Sequence, residues 1–263
     1  MSEILVREEV GYAVITLNRP ERMNAINEKM MSFLEAELKR MESENKVRCI
    51  ILTGHERFFS TGADIKGRVE QIQKKQFDSF RTDPVTVRFR NIQSLIERLE
   101  VPVIAAISGY AVGGGLELAL ACDIRYVAEN AKLGLTEAKV GSIPGAGGTQ
   151  RLSRLVGPGR AKEMMYTAKL IDAQQAVSYG LANNVFPLEG FLQQVEQVAL
   201  SIIENGPVSI TFIKKAVNVG LQMGLEEGLE FERILHRSIQ KSEDYKEGMT
   251  AFLEKRKPNF SGN

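Results

Sequence analysis

The sequence predicts an α/β fold, and three observations carry that expectation. Compact apolar runs at Val47 to Thr53 and Val101 to Ile107, bounded by Gly or Pro and lacking polar alternation, suit strands buried on both faces. Between such runs, apolar residues recur at helical spacing with charged residues opposite, as in a helix packed on a sheet. Strand-like and helix-like segments then alternate through the first half of the chain, the pattern of an α/β core. With 263 residues, the chain is long enough for one to two domains and needs no staples to fold.

The elements follow in order. Ile4 to Val6 and Tyr12 to Leu17 are β-rich runs joined around Gly11. Asn27 is a plausible N-cap for a helix reaching Asn45, with Met30, Phe33, Leu34, Leu38 and Met41 at helical spacing. After the strand at Val47 to Thr53, a helical stretch with a break at Pro84 carries Ile92, Leu95, Ile96 and Leu99 on one side. The strand at Val101 leads to the triplet Gly113-Gly114-Gly115 and a helix from Leu116 to Ala121, and another strand-like run ends in KLGLTEA. Beyond about residue 190, Val195, Val198 and Ile202, then Ile210, Ile213 and Val217, then Leu225, Leu229 and Leu235 recur at helical period with no strand between them. The expected division is a core over residues 1–190 and a helical assembly region over residues 191–263.

Composition excludes several classes. Thirty-four Lys and Arg against 33 Asp and Glu leave a net charge of +1, so no global field draws nucleic acid or an anionic membrane. On the segment after Asn27, Lys39, Arg40, Lys46 and Arg48 interleave with Glu35, Glu37, Glu42 and Glu44, which cancels the basic stripe an RNA-binding surface needs. The longest uncharged stretch, the sixteen residues from Val101 to Leu116, is broken by Pro102 and glycines and falls short of the ~20 apolar residues of a membrane span. Cys49 and Cys122 sit in apolar segments and read as core residues of a protein in a reducing compartment. Glu3 and Arg7 precede any apolar region, so no secretory signal is expected and the cytoplasm is the expected location. His55 and His236 belong to no metal-ligand pattern, and neither nucleotide fingerprint nor nucleophile elbow is present.

Three glycine-rich spots stand out: Gly62 after FFST, the triplet at Gly113, and Gly145-Ala146-Gly147-Gly148. Glycine lets a ligand approach backbone N–H groups that a Cβ would screen, although tight turns use it equally well. The triplet follows a strand and opens a helix, where backbone amides favour an anion or a developing oxyanion. Glu117 falls in the first turn of that helix, and Glu137 comes 20 residues later. Two carboxyls brought to one glycine-lined pocket could divide acid and base work, while a lone Glu in a first turn simply complements the helix dipole.

Taken together, these segments resemble the enoyl-CoA hydratase/isomerase (crotonase) family. The resemblance runs through NRPERMNAIN from Asn18, FFSTGADIK, AAISGYAVGGGLELALACDIR, LGLTEAKVGSIPGAGGTQRL and AFLEKRKPNF, and so covers nearly the whole chain. It implies a spiral of ββα units with a C-terminal helical region that builds trimers, usually paired into hexamers. It also implies an oxyanion hole made by the amides of Ala63 and Gly114, and a catalytic pair, Glu117 and Glu137, holding the water that adds to a 2-enoyl-CoA thioester. Because the oxyanion donors are backbone groups, neither a metal nor a cofactor beyond the coenzyme A of the substrate is implied. Gly145, placed at the start of the helix after SIPGAGG, resembles a position whose amide approaches the thioester. Coenzyme A would lie along Arg22 to Ala25 and near Lys66, and Phe252 and Lys255 would reach the adenine bound to a neighbouring subunit. Without the motif context, Arg22, Lys66 and Lys255 read as a solvated surface.

The branch within the family is open on these residues. Both short-chain enoyl-CoA hydratases and methylglutaconyl-CoA hydratases, some of which bind AU-rich RNA, are similar, and isomerases commonly lack one of the two carboxylates. Thr61 departs from the Cys-Ala or Ser-Ala that many members place before the glycine. Acyl preference depends on the stretch Gly67 to Asp83, which carries no motif.

Overall fold

The computed structural model describes residues 2–65 and 84–263. Two sheets organise it. The first has six strands: β1 (Ile4–Glu9), β2 (Tyr12–Leu17), β3 (Cys49–Thr53), β5 (Val103–Ile107), β7 (Ile124–Ala128) and β10 (Asn184–Phe186), side by side in that order. β1 pairs antiparallel with β2, and every other pairing in this sheet is parallel. The second sheet holds β4 (Phe58–Ser60), β6 (Tyr110–Val112), β8 (Lys132–Gly134) and β9 (Ile171–Asp172), of which the first three run parallel.

The sequence explains the layering. β3 and β5 are buried along their whole length, and their side chains alternate between two cores as strand pleating requires. Ile50, Leu52, Ala105 and Ile107 point to one core, with α1 (Glu28–Glu44) contributing Met30, Met31, Leu34, Leu38 and Met41 to it. Ile51, Ile104 and Ala106 point to the other, which is closed by Phe191, Val195 and Ala199 of a C-terminal helix. Asn27 caps α1 as its position suggests, its side chain accepting from Met30 N at 2.8 Å.

Each of β3, β5 and β7 is followed by a short strand of the second sheet and then by helix, so the chain winds in ββα units. β3 and β4 precede α2 (Pro84–Arg98), β5 and β6 precede α3 (Gly114–Leu120), and β7 and β8 precede a 3₁₀ turn (Glu137–Val140) and α4 (Gly148–Val156). This is the α/β spiral the resemblance implied. The sequence did not reveal β4, β6 or β9, because two or three residues are too few to show a period.

The remaining helices are α5 (Pro158–Thr167), α6 (Ala173–Ser178), α7 (Phe191–Ile203), α8 (Pro207–Gly220), α9 (Leu225–Ile239) and α10 (Glu243–Glu254). α7 lies on the first sheet and is part of its core, whereas α8 and α9 pair with each other and leave Ile213, Val217, Leu225 and Leu229 exposed. The last residues fold back on α10, where the buried Asp244 carboxylate accepts from Ser261 N and Gly262 N at 2.8 and 3.0 Å. No helix among the described residues is long and apolar enough to cross a membrane.

One buried ion pair fastens α8 to this frame. Lys214 Nζ donates to Asp123 Oδ2 at 2.8 Å and to the carbonyls of Ile96 and Val101 at 3.0 and 2.9 Å, while Asp123 Oδ2 also accepts from Val103 N. All three protons of the ammonium are thereby used. Lys214→Ala strands the carboxylate in the interior and is expected to cost about 3–5 kcal/mol of stability, measured by urea unfolding. A loss under 1 kcal/mol would mean that Asp123 finds another partner.

Candidate active site

Parallel pairing brings the candidate residues together. β4, β6 and β8 lie side by side in the same direction, so the turns that leave their C-terminal ends are neighbours. The first turn carries Gly62 and Ala63, the second Gly113 and Gly114, and the third Glu137. Open α/β sheets place ligands at this end of their strands.

The first two turns touch backbone to backbone. Gly62 has φ +90°, and a Cβ there would stand 2.9 Å from Val112 O and 3.0 Å from Gly114 N. Only glycine fits that contact. A Cβ on Gly114 would lie 3.5 Å from Ala63 N, so these two amides border one small space. The Ile26–Ala63 bridge is made by Ile26 N donating to Gly62 O and Asp64 N donating to Ile26 O, leaving the Ala63 N–H out of the pairing. Gly114 N is the first amide of α3, a position with no intrahelical acceptor. Ala63 is exposed.

Beneath Ala63, the chain is held by Asn24, a residue the sequence reading passed over. Met23 and Asn24 have φ of +50° and +53°, left-handed conformations that Asn tolerates better than most side chains. Fully buried, Asn24 accepts from Arg19 N at 2.8 Å and donates to Phe59 O at 3.0 Å, and Ser60 Oγ donates to its carbonyl. This knot ties the segment carrying Arg22 and Ala25 to β4. Arg22 is exposed, and the Ala25 carbonyl accepts from Arg19 Nη1 at 2.8 Å.

The two carboxylates come from neighbouring segments and lie close enough for one charge to act on the other. Glu117, one turn into α3, is 4% exposed, and its Oε1 accepts from Ala146 N at 2.8 Å and from Gly148 N at 2.9 Å. Glu137 lies beside Gly113, where a Cβ would be 3.2 Å from its Oε1. Glu137 Oε2 is buried and has no hydrogen-bond partner among the described residues. Burial raises the pKa of Glu137 above the ordinary carboxyl value, and the negative charge of Glu117 raises it further. One carboxylate is thus fixed by amides, and the other is inclined to carry a proton.

Gly145 lies three residues before α4, not at its start, because the helix begins only at Gly148. It is exposed, and a Cβ there would sit 3.6 Å from Thr86 Cγ2 of α2. Similarly, α3 begins at Gly114, two residues earlier than its apolar pattern indicated. Lys66 lies outside the described residues, as does the stretch Gly67 to Asp83. Phe252 is 80% exposed near the end of α10, and Lys255 caps that helix at φ +55°. Both point to a surface rather than to the carboxylates of their own chain. Cys49 and Cys122 are free and buried, and burial pushes both thiols up to about 12, so neither is a nucleophile at neutral pH. Among the described residues, no group of three or more His, Cys, Asp or Glu is placed to hold a metal ion.

The chain is similar to known proteins along nearly its whole length. The enoyl-CoA hydratase/isomerase family model matches residues 7–263. A crotonyl-CoA hydratase of Syntrophomonas wolfei is 39% identical, covering 98% of this chain and 97% of its own. A short-chain-enoyl-CoA hydratase of Clostridium acetobutylicum is 37% identical with the same coverage. The crystal structure of an enoyl-CoA hydratase from Bacillus anthracis superposes with a TM-score of 0.92 at 39% identity, covering 99% of this chain and all of the other.

Because folding favours the protonated form of Glu137, its stabilising contribution is complete below the ordinary carboxyl pKa and is lost as pH rises through the raised value. Carbon-13 NMR of the Glu137 carboxyl should therefore show titration above the usual range. Glu117→Gln should lower that pKa by removing the repulsive charge, and an unchanged titration would assign the whole shift to burial.

Proposed function

The chain belongs to the enoyl-CoA hydratase/isomerase family and is an enoyl-CoA hydratase, and we propose that it works through two backbone amides and two carboxylates. Water adds across the 2,3 double bond of a 2-enoyl-CoA thioester to give a 3-hydroxyacyl-CoA. The observation that carries this reading is the closeness of the Glu117 and Glu137 carboxylates, with Glu137 beside Gly113 and the Ala63 and Gly114 amides bordering one space in the adjoining turns.

In the reaction, negative charge moves onto the thioester oxygen as water attacks C3. Donors fixed in advance at that oxygen stabilise the enolate-like transition state more than the substrate, and one such donor contributes about 3–4 kcal/mol. Glu117, oriented by two amides, takes a proton from the water, and Glu137, with its raised pKa, delivers one to C2. On this reading coenzyme A arrives as part of the substrate, and no separate cofactor takes part.

Arg22 and Ala25 would line the coenzyme A path, with Lys66 beyond the described residues and the Gly145 amide near the thioester. Phe252 and Lys255 would complete the site of a neighbouring subunit in a trimer or hexamer. The exposed apolar residues of α8 and α9, together with an almost fully exposed Phe252, support self-association of this kind. Ion pairs from Lys39 to Glu35 and from Arg40 to Glu37 and Glu44 offset the charge of these two residues of α1, which favours the hydratase over an RNA-binding role. The cytoplasm is the proposed compartment, in keeping with two free buried thiols.

Glu117→Gln and Glu137→Gln should each lower crotonyl-CoA hydration about 10²–10⁴-fold, with substrate binding retained. Since both act on one transition state, the double variant should lose much less than the product of the two defects. Near-parental hydration by Glu117→Gln alone would point instead to a mechanism with a single carboxylate. Phe252→Ala and Lys255→Gln should raise KM several-fold with little change in kcat, the pattern of lost uniform binding. An unchanged KM, or a monomer in analytical ultracentrifugation, would remove the neighbour from the site.

A further inference from the structure

Glu117 owes its orientation to a turn, and the turn is gripped from behind. Arg151, in the first turns of α4, sends Nη1 to the carbonyl of Ala146 at 3.1 Å. The N–H of the same Ala146 donates to Glu117 Oε1. Ala146 is therefore held at both ends, by the guanidinium on one side and by the carboxylate on the other. Gly147, between the two amides that Glu117 receives, has φ +101°, and a Cβ there would fall 2.0 Å from Arg151 Nη1. The guanidinium packs where that side chain would be.

Arg151 is itself fixed to α2. Its Nε and Nη2 donate to the two oxygens of Glu97 at 2.6 and 2.8 Å, a bidentate fork, and Nη1 also donates to Gln93 Oε1 at 2.9 Å. Gln93 is fully buried, and its amide nitrogen has no acceptor among the described residues. A buried donor without a partner is costly, so the useful end of Gln93 is the one facing Arg151. Two residues of α2 thus aim one arginine at one peptide.

From this geometry we propose that Arg151 is a positioning residue for the hydration. Braced by Glu97 and Gln93, it sets the turn Ala146 to Gly148, and that turn sets the carboxylate of Glu117 against the attacking water. The inference rests on the catalytic reading of Glu117. It extends that reading to an arginine that does not touch the substrate. Lysine cannot replace the fork, because a single ammonium cannot reach Glu97 in bidentate fashion and the Ala146 carbonyl at once.

The test is steady-state hydration of crotonyl-CoA by the full-length protein. In parallel, binding of 3-hydroxybutyryl-CoA is measured to count intact sites. Arg151→Gln should lower kcat on the order of 10²-fold, as expected when a reacting group is misplaced by about 1 Å, while binding keeps its parental stoichiometry. Arg151→Lys should recover part of that loss. In a Glu117→Gln background, the Arg151→Gln change should cost little further, because the group it positions is gone. A parental kcat in folded Arg151→Gln, a binding stoichiometry that falls in step with activity, or full additivity with Glu117→Gln overturns the proposal. Should Arg151→Gln fail to fold, Glu97→Gln carries the test, since it loosens the guanidinium without removing it. A several-fold fall in kcat is then expected, and an unchanged kcat overturns the inference. Parental hydration by Glu117→Gln would sink the catalytic reading of Glu117 itself, whereas an impaired Glu117→Gln beside an unimpaired Arg151→Gln sinks only this proposal.

Discussion

The parallel pairing of three very short strands is the constraint on which the site depends. β4, β6 and β8 contribute three residues each, too few to stand alone, yet their register places three turns within a few ångströms of one another. The longer strands of the first sheet make this possible. Each of β3, β5 and β7 is anchored between two apolar layers, and each feeds its short successor into the second sheet through a brief link. The stability of the large sheet thus fixes the geometry of the small one.

Backbone closeness is the second theme. At Gly62 and Gly115 the chain comes so near its neighbour that any Cβ would overlap main-chain atoms, and at Gly113 the Glu137 carboxylate occupies the adjoining space. The cost of these glycines is conformational entropy in the unfolded chain. What they allow is the close approach of the turns that carry the Ala63 and Gly114 amides and of the Glu137 carboxylate. The two carboxyls diverge because their surroundings do. Two amide donors hold Glu117, whereas Glu137 is buried, keeps one oxygen without a partner among the described residues and lies near a like charge, which favours its protonated form.

Helix α2 links the site to the C-terminal helices. Its Thr86 and Phe89 meet Gly145 and Gly114, its Gln93 and Glu97 brace Arg151, and its Ile96 carbonyl accepts from Lys214 of α8. A surface that assembles subunits through α8 and α9 would therefore lie one helix away from the reacting groups. Such a route is contiguous and made of packed side chains and hydrogen bonds, the material through which coupling between sites can travel.

Composition and periodicity determined the α/β class, the long strands, the cap at Asn27 and the helical C-terminus, because each is written in local patterns of burial and turn chemistry. Residue type and spacing singled out Glu117, Glu137 and the glycine triplet, and the resemblance added the amides of Ala63 and Gly114. Only the tertiary structure decided how they meet. Strands of two or three residues carry no period, and the start of α4 at Gly148 followed from where Ala146 and Gly148 donate to Glu117 rather than from any apolar pattern. Asn24 and Arg151 stood inside motifs that the sequence displayed, in NRPERMNAIN and GGTQRL, but nothing local marked them. Their partners Phe59, Gln93 and Glu97 lie 35 to 58 residues away, and contacts over that distance exist only once the sheets have formed.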